Sequence, residues 1–166
     1  MKLKILAAAA LSAVAVGAQA TDVDWGAHDP LELTAILVDH TGSFTDNIMF
    51  SIGTLSNLSS TTVANNLLSV LNIEDGMVSL FKEAGATDTL IGNYSFDGTT
   101  GSTWHTFNSL ASGDYYYQIT GNATGTSGGF YSLTSSVAAV PEPETYALLL
   151  AGLAIMGSLY RRRKVD

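Results

Sequence analysis

Leu110-Ala111-Ser112-Gly113-Asp114-Tyr115-Tyr116-Tyr117-Gln118-Ile119-Thr120-Gly121, followed by Gly125-Thr126-Ser127-Gly128-Gly129-Phe130-Tyr131-Ser132-Leu133, is the stretch that decides the fold. In an extended strand successive side chains alternate between two faces, so Tyr115, Tyr117 and Ile119 share one face and Tyr116, Gln118 and Thr120 the other. One face belongs to a core and the other to solvent. A glycine-rich turn then returns the chain into a second aromatic strand. The same pattern of short apolar runs separated by turn signals recurs upstream, at Leu31 to Val38, Phe44 to Ile52, Met77 to Lys82, Thr89 to Phe96 and Thr103 to Leu110, and the last two runs are Gly113 to Gly121 and Gly129 to Val137. Asp39-His40-Thr41-Gly42, Ala84-Gly85-Ala86-Thr87, Asp97-Gly98-Thr99-Thr100-Gly101 and Gly121 to Gly128 supply turns in which positive φ is tolerated. Thr61 to Leu71 fits a helix about as well as a strand, with Asn65-Asn66 interrupting both, and is left unassigned. The pattern predicts an all-β chain, a single antiparallel β-sandwich or barrel.

The charge is distributed very unevenly. Six of the seven lysines and arginines lie at the two ends of the chain, and Lys82 alone stands among twelve acids in residues 21–140, a formal charge of −11. One cation cannot neutralise a phosphate backbone, so nucleic acid is excluded as a partner, and anionic lipid is disfavoured on the same ground. The chain has no cysteine, so the domain is held by its core or by bound ions rather than by disulfides. About 120 residues suffice for one core.

The ends themselves read as targeting segments. Met1-Lys2-Leu3-Lys4 is a basic start, Ile5 to Val16 is apolar, and Ala18-Gln19-Ala20 is a small-x-small cleavage site, which together describe a secretory signal peptide over residues 1–20 with cleavage after Ala20. At the other end, residues 141–166 join Pro141-Glu142-Pro143 to an apolar helix at 145–160 and then to Arg161, Arg162, Arg163 and Lys164. Such a basic cluster stays cytoplasmic, which places residues 21–140 outside. The charge-free run from Thr145 to Tyr160 is 16 residues, roughly 24 Å of helix against about 30 Å of bilayer hydrocarbon. It is short for a permanent transmembrane helix. The two prolines hold the backbone extended, so Pro141 to Pro143 is expected to stay out of the helix and open to a protease.

Val140-Pro141-Glu142-Pro143, the apolar stretch and the arginine cluster, in this order at the end of the chain, resemble a PEP-CTERM protein-sorting tail. The resemblance implies export across the inner membrane of a Gram-negative bacterium, an inner-membrane-anchored precursor, processing near Pro-Glu-Pro by the membrane protease exosortase, and a mature form at the cell surface or outside it. An ordinary C-terminal anchor is the other reading of the same residues. Phe44-Thr45-Asp46-Asn47-Ile48-Met49-Phe50 resembles the FxDxF motif of a PEP-CTERM subgroup, with Ile48 where that motif expects an aromatic and Phe50 two residues further on. Period two places Phe44, Asp46, Ile48, Phe50 and Ile52 on one face, so Asp46 sits among apolar neighbours and needs donors or a cation. It is a cation ligand, a loop-organising acceptor or, most simply, a turn cap. The stretch from Leu110 to Leu133 resembles the closing hairpin of pre-peptidase C-terminal domains, and this resemblance implies a jelly-roll-like β-sandwich.

No motif points to catalysis. His28, His40 and His105 are scattered singly, and there is no His-Glu-x-x-His pair, no Gly-x-Ser-x-Gly elbow and no cysteine nucleophile, so no catalytic residue, metal site or cofactor is expected. Asp22, Asp24 and Asp29 match no EF-hand spacing and read as a solvated tail, with a Ca²⁺ site as the alternative. An exposed Tyr116 beside Trp104 or Tyr94 offers an aromatic platform for a sugar ring, although tyrosine is also simply a good strand residue. Two functions fit these readings. One is a non-enzymatic exported surface or matrix protein associated with exopolysaccharide or biofilm, and the other is a carbohydrate- or calcium-binding adhesive domain anchored to the membrane.

Overall fold

A computed structural model describes residues 20–141 and 143–163. Among these residues the chain forms nine strands, β1 (Asp22–Ala27), β2 (Leu31–Val38), β3 (Gly42–Ile52), β4 (Ser56–Ala64), β5 (Ile73–Lys82), β6 (Thr89–Phe96), β7 (His105–Leu110), β8 (Gly113–Ala123) and β9 (Gly129–Ala139), and then one helix, α1 (Pro143–Arg163). The strands make a five-stranded sheet in the order β1-β3-β8-β5-β6 and a four-stranded sheet in the order β2-β9-β4-β7. The expected signal segment with Ala18 lies outside the described residues, as do Glu142 and Lys164, whereas Ala20 is described and exposed.

The alternation read from β8 sets the architecture. Tyr115, Tyr117 and Ile119 are buried, and they meet Phe44, Ile48, Phe50 and Ile52 of β3, Val78 and Leu80 of β5, and Tyr94 and Phe96 of β6 on the inner face of the five-stranded sheet. Ile36, Val38, Leu58, Leu110, Tyr131 and Leu133 close the core from the four-stranded sheet. Burying each such large side chain contributes about 1.5–3 kcal/mol before the cost of ordering the chain. β3 and β8 run antiparallel in unbroken register from Gly42 opposite Ala123 to Ile52 opposite Gly113 and form the spine of the larger sheet. Gly128 makes the turn into β9 at φ +88°, and a Cβ there would lie 1.8 Å from the Val38 carbonyl oxygen, so only glycine fits.

Two expectations need correction, and the unassigned stretch is resolved. Asp22 to Asp29 is no solvated tail: β1 pairs with β3 from Asp22 opposite Asn47 to Asp24 opposite Met49, and this pairing is parallel in an otherwise antiparallel sandwich. Val23 and Trp25 pack against the core, and Trp25 Nε1 donates to Thr34 Oγ1 at 2.8 Å, which ties β1 to β2. The Thr61 to Leu71 stretch divides, its first part completing β4 and its second forming an irregular connection in which Leu67, Leu68 and Val70 are exposed, so its apolar spacing reported no buried face. Finally, α1 begins at Pro143, because a proline in the first helical turn forfeits no intrahelical hydrogen bond.

Helix α1 carries exposed Leu148, Leu149, Leu150, Leu153, Ile155 and Met156, positions that at about 100° per residue spread over more than half of its circumference. No helix among the described residues is long and apolar enough to cross a membrane, which differs from the transmembrane helix expected at 145–160. The reason is the short charge-free run: Glu144 stands in the first turn of α1, and Arg161, Arg162 and Arg163 close it.

Candidate functional site

The outer face of the five-stranded sheet carries two adjoining depressions of about 280 and 320 Å³ that share Met49 and Glu83. The register explains their lining. One row of residues crosses the sheet from Asp24 of β1 through Met49 of β3 and Tyr116 of β8 to Phe81 of β5 and Leu90 of β6. The neighbouring row runs from Asp22 through Asn47 and Gln118 to Ser79 and Asn93. An apolar and aromatic row therefore lies beside a row of amides, hydroxyl and carboxylate. Five strands at about 4.8 Å spacing make each row roughly 19 Å long.

Tyr116 is the centre of the site. Its ring stacks on Phe81 at 5.1 Å between centroids and 12° between planes, and its hydroxyl donates to Asp88 Oδ2 at 3.0 Å. Partial burial, then the Asp88 carboxylate, raise its phenol above the ordinary value, so it stays neutral at physiological pH. Asn47 Nδ2 donates to Asp22 Oδ1 at 3.0 Å, which orients both side chains at the edge of the depression. Planar amide and carboxylate groups beside a fixed aromatic face supply the two contacts that a sugar ring accepts, hydrogen bonds to its hydroxyls and stacking against its C–H surface. The expected neighbours of Tyr116 were Trp104 and Tyr94. Neither takes part: Tyr94 is buried, with its hydroxyl bonded to Ser60 at 2.9 Å and Thr62 at 3.0 Å and its ring stacked on His105, and Trp104 is exposed just before β7, in the other sheet.

The other candidate residues fall into separate places. Phe44, Asp46 and Phe50 all point into the core, as their period-two spacing requires. Asp46 is no turn cap: one carboxylate oxygen accepts from the Thr21 backbone N–H and the other from the Tyr131 hydroxyl, both at 2.7 Å. His28 packs edge-on against Trp25 and Phe50 and contacts Ser135 Oγ at 2.8 Å, and burial lowers its pKa. His40 lies beside Asp39, and His105 on Tyr94. Among the described residues no group of three or more His, Cys, Asp or Glu is placed to hold a metal ion.

At the end of the sandwich the Val140 N–H donates to the Leu55 carbonyl at 2.9 Å, and the chain then leaves through an exposed Pro141 into α1. The Pro-Glu-Pro segment thus follows directly on a residue tied to the domain. Residues 139–164 match the PEP-CTERM protein-sorting motif. That motif implies an exported, envelope-sorted protein processed by exosortase. No curated protein matches the sequence. Among solved structures, the chain is similar to the Aeromonas hydrophila PliG, a periplasmic inhibitor of g-type lysozyme, at 16% identity over 74% of this chain and 100% of that one, with a TM-score of 0.45. It is also similar to the pre-peptidase C-terminal domain of a Bacillus anthracis collagenase, at 19% identity over 74% and 97% with a TM-score of 0.45. A third is CorA, a surface-associated copper-binding protein of Methylomicrobium album BG8, at 9% identity over 74% and 98% with a TM-score of 0.41.

Proposed function

We propose that this chain is a non-enzymatic surface or matrix protein that binds extracellular polysaccharide through the outer face of its five-stranded sheet. The observation that carries this reading is the row through Met49, Tyr116 and Phe81 lying beside the row through Asn47 and Gln118. The signal peptide delivers residues 21–140 outside, the tail holds the precursor transiently at the inner membrane, and exosortase releases it at or near Pro141-Glu142-Pro143. The short charge-free run of α1 suits a temporary hold better than a permanent one. Phe44, Asp46 and Phe50 support placing the chain in the FxDxF subgroup, since all three are core positions of one strand. Calcium-mediated adhesion is the weaker reading: Asp24, Glu83 and Asp114 line one depression, but among the described residues no three acids are close enough together to hold one ion.

Co-sedimentation of the exported protein with exopolysaccharide from the producing bacterium tests the binding. Retention of the wild-type protein and loss of retention in Tyr116→Ala are expected, and equal behaviour of the two contradicts the reading. Intact mass of the same exported protein tests the route. A form lacking Arg161 to Asp166 is expected, and recovery of the uncut tail alone replaces sorting with a stable anchor.

A further inference from the structure

Asp46 is a buried carboxylate, 2% exposed, in the middle of β3. Such a charge is costly unless a cation or several donors meet it. The domain has one basic side chain, Lys82, and its Nζ lies over the Tyr115 ring, 5.5 Å from the centroid, not at Asp46. Tyr131 donates to Oδ2, and its phenol is pushed up by burial and then by the Asp46 charge, so it remains a neutral donor. The other oxygen, Oδ1, accepts from the backbone nitrogen of Thr21. Thr21 is also the residue that follows the small-x-small site Ala18-Gln19-Ala20.

We infer that Asp46 is the receiving site for the α-ammonium group that export creates on Thr21, an internal ion pair that exists only in the processed chain. The inference rests on the reading of cleavage after Ala20. Hydrolysis of the Ala20–Thr21 peptide bond consumes one water: Ala20 departs with the carboxylate, and Thr21 keeps its nitrogen as an amine that takes up a proton at neutral pH. The nitrogen already stands 2.7 Å from Oδ1, so cleavage puts a positive charge beside the buried negative one without moving the chain. The position is held independently, because the Asn47 N–H donates to the Thr21 carbonyl at 3.0 Å and Asp22 continues the pairing opposite Asn47. The other charged group nearby, Asp22, is exposed and turned to Asn47 Nδ2. Processing thereby fastens the chain to β3 just ahead of β1, the strand whose Asp22 and Asp24 begin the rows of the outer face.

The test is amine labelling of the exported protein at pH 7, read by mass spectrometry of its N-terminal peptide. Only the neutral amine reacts, and pairing with Asp46 raises the α-amino pKa above its usual value near 7.8, so labelling of native protein about tenfold slower than in urea-unfolded protein is expected for each unit of that rise. In Asp46→Asn the protection is expected to vanish. Should that variant not fold, the native-to-unfolded ratio of the wild type decides alone. A chain that begins at Thr21 but labels equally fast in both states overturns the ion pair and leaves the cleavage reading intact. A chain that begins at any other residue overturns the cleavage reading, and the pair with it.

Discussion

Tyr116 and Tyr117 are consecutive residues of β8, and the two faces of the five-stranded sheet give them opposite tasks. Tyr117 is fully buried, and its hydroxyl crosses the sandwich to Ser135 Oγ at 2.9 Å. Tyr94 reaches from the same sheet to Ser60 and Thr62, and Tyr131 reaches back from the other sheet to Asp46. Inside, these three tyrosines are posts whose rings fill the core and whose hydroxyls are satisfied by the facing sheet, whereas Tyr115 turns its hydroxyl to the Ala111 carbonyl before its own strand. Outside, the Tyr116 ring lies on Phe81 and leaves its surroundings polar. An aromatic side chain thus stabilises on one face and presents a binding surface on the other, and a one-residue slip of β8 would exchange the two.

The largest effect is expected from Tyr117→Ala, which empties a core position and takes one of its two partners from the Ser135 hydroxyl, at a cost of about 3–5 kcal/mol in urea unfolding. Alkali gives a second test of the inner face. Burial raises the Tyr117, Tyr131 and Tyr94 phenols above their unfolded values, so their contribution to stability is complete below about pH 10 and is lost as pH rises toward the folded values. Phenolate absorbance is expected to appear for these three together with unfolding, and ionisation without unfolding would break the account of the posts. Tyr131→Phe removes one donor from the buried Asp46 carboxylate and is expected to cost about 2 kcal/mol. Tyr116→Ala is expected to change stability by only about 0.5 kcal/mol while weakening polysaccharide binding. A loss of stability as large as that of Tyr117→Ala would erase the distinction between the faces.

The sequence makes the apolar strands plain and hides the polar one. β2 and β6 have the bounds that alternation predicts, and β3, β8 and β9 extend the expected runs by two residues. β4 escapes because two of its inward positions, Ser60 and Thr62, are hydroxyls that receive Tyr94, so hydrophobic periodicity has nothing to register. Their abundance suggests a solvated surface, whereas Ser56, Ser60, Thr61, Thr62 and Ser135 are buried. β1 is legible in principle: Asp22-Val23-Asp24-Trp25 alternates with period two, but Asp22 and Asp24, taken together with Asp29, read as a tail. Of the site, the outward direction of Tyr116 follows from β8 alone. Its neighbours Phe81 and Met49 come from strands 35 and 67 residues away in sequence, and only the register brings them together.

The central claim is that the outer rows of the five-stranded sheet are the contact surface for polysaccharide. Backbone amide chemical shifts followed during titration of the exported protein with fragments of the exopolysaccharide test it most directly. Changes concentrated at Asn47, Met49, Phe81, Tyr116 and Gln118 are expected, with the four-stranded sheet undisturbed. Changes confined to the four-stranded sheet, or none at saturating fragment, would contradict it.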